Sequence, residues 1–183
     1  NKNGYKNLIK MVSLSWTEGF YGRPRIDKEL LEKYHKDLII CSACLGGEIP
    51  QHIMHGRIDK AEESIKWFKN LFGEDYYLEM QRHETHDPNA DCTIFPHQQE
   101  VLIELAHKHN IKLIATNDVH FVNADDAEAH DRLICLSTGK DLDDPKRMRY
   151  SKQEWMKTTA EMNTIFADIP EALSNTLEIA DKI

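Results

Sequence analysis

The sequence predicts an α/β fold built on a parallel sheet, and three observations carry that expectation. Short strand-length segments fall at residues 37–41, 76–81 and from 111 onward, the first reading Asp-Leu-Ile-Ile-Cys. An apolar run of that length is the signature of a strand buried on both faces. Between the runs lie longer segments with apolar residues at helical spacing, notably 59–71 and 96–109. The order is therefore β-α-β-α-β-α, and such alternation implies parallel strands joined by right-handed crossovers. Three units do not close a barrel, so they form part of one or part of an open sheet.

Each element has its own signal. Asn3-Gly4 punctuates the start, and residues 5–16 predict an amphipathic helix with Leu8, Ile9, Val12 and Trp16 on one face, ended by Gly19. Pro24 biases Arg23 away from helix, so 20–26 is a loop or a short extended piece. Asp27 is the expected N-cap of a helix over 28–35. After the first strand, Ser42-Ala43-Cys44-Leu45-Gly46-Gly47 reads as a tight loop before a helix at about 48–54. Gly56 breaks that helix. The next, 59–71, carries Ala61, Ile65, Trp67, Phe68 and Leu71 and stops at Gly73. A polar loop over 82–92 holds His83 and His86. The helix 96–109 buries Val101, Leu102, Leu105 and Ala106, with Asn110 suited to its end. A further helix is expected from about 124 to 136.

The last third changes character. Residues 141–150 are a charged connector. Ser151-x-x-Glu154 and Thr158-x-x-Glu161 both fit a capping box, and Pro170 suits the first turn of a closing helix over 171–183. No strand signal follows residue 150. The expected division is 1–138 and a helical connector at 139–183. Trp16, Trp67 and Trp155 read as core or half-core anchors.

Composition narrows the function. The chain has 183 residues, a net charge of −8 and four cysteines, at 41, 44, 92 and 135, without a small-secreted pattern. That points to a reducing, cytoplasmic setting. No apolar run approaches the ~20 residues needed to span a bilayer. A nucleic-acid binder ordinarily shows a basic face, so this chain alone is expected to hold DNA poorly. It begins at Asn1 rather than Met, as a fragment would.

The chemistry concentrates in Asp118-Val119-His120, at the end of the third strand. Residues two apart on a strand share a face, so a carboxylate and an imidazole are expected side by side at its C-terminal end, a pair suited to a divalent metal. The plainer reading makes Asp118 a turn cap and His120 a surface residue. Cys44 also lies just beyond its strand, and in a parallel sheet these ends gather at one rim, which brings Cys44, Asp118 and His120 into reach of one another. Glu79 lies on the second strand with its face open, and His83 and His86 follow that strand's end. Cys41-x-x-Cys44 resembles a redox pair in position only, because Leu45-Gly46-Gly47 intervenes before the helix. His107 and His109 sit ~200° apart on a helix and cannot share a metal. Arg23-Pro24-Arg25 and Lys146-Arg147-x-Arg149 are the compact basic clusters; the acidic balance favours solvated connectors over phosphate contacts.

An ordered set of motifs then carries a resemblance. Gly4-Tyr5-Lys6-Asn7-Leu8, Glu18-Gly19-Phe20-Tyr21, Pro24-Arg25-Ile26-Asp27, Cys44-Leu45-Gly46-Gly47-Glu48, Leu78-Glu79 with Arg82-His83, and Ala115-Thr116-Asn117-Asp118-Val119-His120 resemble, in this order, the alpha-subunit family of bacterial replicative DNA polymerase III. Glu161-Met162, Pro170-Glu171-Ala172 and Asn175-Thr176 fit as well. The resemblance implies the later part of a PHP (polymerase and histidinol phosphatase) domain, a distorted seven-stranded α/β barrel, followed by helices leading toward a palm domain. It implies that Cys44, Asp118 and His120 match three ligands of a cluster of divalent ions (zinc, manganese or magnesium) at the strand rim, with Glu79, His83 and Arg25 as further rim residues. The remaining ligands, a His-x-His pair among them, would precede Asn1, and the polymerase aspartates would follow Ile183. The parent would be a DNA-directed DNA polymerase, and the chain alone would be inactive. Its PHP site would act as a 3′→5′ proofreading exonuclease, the ions lowering the pKa of a bound water. Alternatively the domain is a docking module with a decayed site that seats a separate exonuclease subunit; a standalone PHP-type phosphoesterase is a further alternative. Implied partners are DNA, a sliding clamp and a clamp loader, with no membrane.

Overall fold

The structure, a computed structural model, describes residues 1–83 and 96–183. Helices α1 (Lys2–Thr17) and α2 (Lys28–Tyr34) flank a two-stranded antiparallel hairpin, β1 (Phe20–Tyr21) and β2 (Arg23–Pro24). Strand β3 (Ile40–Cys41) leads to α3 (Glu48–Met54) and α4 (Ile58–Phe72), then β4 (Tyr76–Gln81), α5 (Pro96–Lys108) and β5 (Lys112–Thr116). Helices α6 (Ala127–Thr138), α7 (Thr159–Ile165) and α8 (Pro170–Asp181) complete the chain.

Strands β3, β4 and β5 form a parallel sheet in sequence order, with Cys41 opposite Tyr77 and Glu79 opposite Ile114. The parallel α/β reading therefore holds. Among the described residues the sheet has three strands, and a seven-stranded barrel is not seen.

Alternation along β4 separates two faces. Tyr76, Leu78 and Met80 join Leu113 and Ala115 in the main core, against Ile49 and Ile53 of α3, Ala61 and Ile65 of α4, and Leu102, Leu105 and Ala106 of α5. Cys41, Tyr77, Glu79, Gln81 and Thr116 fall on the opposite face. Phe166, Ile169 and Ala172 belong to the same core, so the residues after the connector pack on the sheet. Helix α8 lies beside β5, where the Asn175 amide donates to the Leu113 carbonyl (2.8 Å). Its far end is tied down where Lys182 and Glu178 both meet the Tyr77 hydroxyl, each at 2.8 Å.

Several expectations are corrected. The first strand is two residues, Ile40–Cys41, not five, and Asp37, with a left-handed φ of 63°, lies outside it. Helix α1 turns its Leu8, Ile9, Val12 and Trp16 stripe outward, Trp16 being 59% exposed, and buries Gly4, Met11 and Ser15 instead. Small residues allow the close approach: a Cβ on Gly4 would lie 1.9 Å from the Asp37 carbonyl oxygen. Ser151-x-x-Glu154 starts no helix. Trp155 instead makes a parallel bridge to Phe121, so a trace of strand does follow residue 150. Thr158-x-x-Glu161 is a capping box for α7, as expected. Arg147, expected in a solvated connector, is not solvated. It is buried in a two-pronged pair with Asp131 of α6 (2.6 and 2.8 Å).

Candidate functional site

Beyond Thr116 the chain leaves β5 through a turn in which Asp118 takes a left-handed φ of 48°. Asp and Asn tolerate that region better than most residues. The turn sets the Asp118 carboxylate 4.0 Å from His120 Nδ1. His120 Nδ1 also lies 2.6 Å from the Asp118 carbonyl, which can only accept, so Nδ1 carries a proton. The other nitrogen, Nε2, faces the Tyr150 hydroxyl at 3.2 Å. His130 of α6 completes the patch, its ring centroid 5.6 Å from that of His120 and 5.1 Å from that of Tyr150. Burial, then the neighbouring His120, lowers the His130 pKa. Neither His130 nor Tyr150 was singled out from the sequence as part of a site. Each reaches it from another segment, and no local spacing signals that.

The rim is braced by the segment that follows the connector. The His120 amide donates to the Glu154 carbonyl (2.8 Å), and the Met156 amide donates to the Phe121 carbonyl (3.2 Å). The Asn117 side-chain amide donates to the carbonyls of Gln153 (2.9 Å) and Trp155 (2.7 Å). Beneath lies a buried pair, His83 Nδ1 to Glu154 Oε1 at 3.3 Å, whose side chains are 2% and 0% exposed. Burial alone would raise the Glu154 carboxyl; hydrogen bonds from His83 and Ser151 outweigh it and hold the pKa at about 2.

Cys44 sits in the loop after β3, at the same end of the sheet. Ala43 is left-handed (φ 63°), and the Gly47 amide closes the loop onto the Cys44 carbonyl at 2.9 Å. Only glycine fits there, since a Cβ on Gly47 would lie 2.1 Å from the Ser42 carbonyl oxygen. The Cys41 thiol is pushed up to about 11 by burial and by Glu79, so it is poorly suited to thiolate chemistry. The face of Glu79 is now defined: its carboxylate accepts from the Thr116 hydroxyl at 2.6 Å, and its amide donates to Ser42 Oγ at 2.9 Å. Arg25 follows β2, bonded to the Tyr21 carbonyl and over the Tyr21 ring. His86 and Cys92 lie outside the described residues.

Among the described residues no group of three or more His, Cys, Asp and Glu is placed to hold a metal ion. Asp118 and His120 offer two adjacent donors, and Cys44 does not join them as a third. The residues described do not by themselves constitute a metal centre.

The comparisons with known proteins follow this geometry. Residues 1–83 match the family model for the PHP domain. The Cys44 loop falls within the matched residues. The whole chain is also 45% identical over 183 residues to DNA polymerase III subunit alpha of Borreliella burgdorferi. It is 40% identical, again over its full length, to the protein of the same name from Campylobacter jejuni. To that from Thermus aquaticus it is 38% identical over 97% of its length. The chain is thus similar throughout to these DNA polymerase III alpha subunits, and spans 14–16% of the length of the three relatives. No helix among the described residues is long and apolar enough to cross a membrane.

Proposed function

We propose that this chain is part of the alpha subunit of a bacterial replicative DNA polymerase, with nucleotidyl transfer carried by residues outside it. The identity to DNA polymerase III alpha subunits over the chain's whole length carries this reading. DNA, a sliding clamp and a clamp loader are then the partners of the whole polypeptide. We further propose that Asp118 and His120 contribute one side of a divalent-metal site completed by residues outside the chain, and that this site hydrolyses 3′-terminal phosphodiesters. The juxtaposed carboxylate and imidazole at the end of β5 support it.

The alternative, a docking surface for a separate exonuclease, draws on the lack of a three-ligand group among the described residues. One experiment separates them: degradation of a mismatched 3′ primer end by the whole polypeptide, wild type against Asp118→Asn with His120→Ala. Loss of degradation with primer extension retained supports the hydrolytic site. An undiminished rate, or none in the wild type, favours docking.

A further inference from the structure

The residue immediately before Asp118 is held in an unusual way. His83 Nε2 lies 3.0 Å from the Asn117 carbonyl while Nδ1 lies 3.3 Å from the Glu154 carboxylate. One His83 ring thus joins the Asn117 backbone to the Glu154 side chain through its two nitrogens. Glu154 is fixed in turn, its Oε1 accepting from the Ser151 amide at 3.0 Å and the Ser151 hydroxyl at 2.5 Å. Its backbone carbonyl meets the His120 amide. Asn117 is gripped on its other side, its Oδ1 accepting from Lys157 Nζ at 3.2 Å, with that ammonium stacked 3.6 Å over the Trp155 ring. Asn117 and His120, the residues flanking Asp118-Val119, are thus both anchored to one segment, 151–157.

We infer that His83 and Glu154 are positioning residues: the His83 bridge and segment 151–157 form a latch that fixes the backbone from which Asp118 and His120 project. Burying two polar side chains costs more than burying apolar ones of the same size, so packing alone gives no reason for this pair here. The hydrogen bond to the Asn117 carbonyl gives one, because only a donor on His83 makes it. The latch itself stands on this geometry; its consequence for metal binding rests on the proposed role of Asp118 and His120. Removing a group that orients a metal ligand typically weakens binding by ~10–100-fold.

The test is deuterium exchange in the whole polypeptide, read in peptides covering 117–122 and 151–157, together with Mn²⁺ affinity measured on folded protein. Glu154→Gln is expected to speed exchange in both peptides at least tenfold while leaving β4 unchanged. The double variant His83→Phe with Glu154→Leu replaces the pair by apolar groups. It is expected to recover melting temperature but not slow exchange at 117–122, and it decides the matter if Glu154→Gln fails to fold. Unchanged exchange in Glu154→Gln, or full recovery of slow exchange in the double variant, overturns the latch. Faster exchange with Mn²⁺ affinity at least tenfold weaker supports latch and metal site together. Faster exchange with unaltered Mn²⁺ affinity supports the latch and removes the metal reading of Asp118 and His120.

Discussion

Glu154 shows how a single residue can mislead in sequence and matter in structure. Ser151-x-x-Glu154 has the spacing of a helix cap, and Glu154 does take the Ser151 amide and hydroxyl. The same spacing serves a tight turn ahead of a bridging residue, and pairing with Phe121 selects the second outcome. Asp118 and His120 were legible because their spacing is local. His130, Tyr150 and Glu154 were not, because each enters from a different stretch of chain. The Glu154 carboxyl also sets a pH dependence. Its pKa is depressed to about 2 from an ordinary 4.5, so its contribution is present above the unfolded value and is lost as pH falls through the folded one. Urea melts between pH 5 and pH 2 should show stability falling across this window, and Glu154→Gln should remove that part of the slope.

At the scale of elements, periodicity located the helices and strands but not which faces are covered. β4 was read with its exact bounds because six consecutive residues of strand character leave little choice. α1 was also found, yet its apolar stripe faces outward and a narrow edge of Gly4, Met11 and Ser15 packs inward. The helical period reports that a helix has an apolar face, not that a neighbour lies against it. The Cys44 loop gives an element-scale prediction. Gly47→Ala must push the Ser42 carbonyl away, because the added Cβ would sit at 2.1 Å. Overpacking of that kind costs about 1–3 kcal/mol. A lower melting temperature is expected, with faster modification of the Cys44 thiol by a small alkylating reagent as its loop opens.

At the scale of the whole molecule, helices α7 and α8 extend the core of the sheet, and Asn175 of α8 meets the carbonyl edge of β5. The sequence suggests a charged connector and helices over 139–183, and those helices pack on the sheet. Net charge acts at this scale too. At −8, the chain on its own should bind a single-stranded oligonucleotide more weakly than about 100 μM at physiological salt, the weak end of non-specific binding. Fluorescence anisotropy measures this directly, and micromolar binding would show that a local basic surface outweighs the overall charge.

The most direct measurement is the divalent-metal content of the whole polypeptide after exhaustive dialysis, compared with its Asp118→Ala, His120→Ala double variant. If the rim of β5 supplies two ligands to a site completed outside this chain, the wild type retains bound metal and the double variant loses it, with primer extension intact. Equal metal content in the two proteins, or none in either, would contradict a metal site at Asp118 and His120.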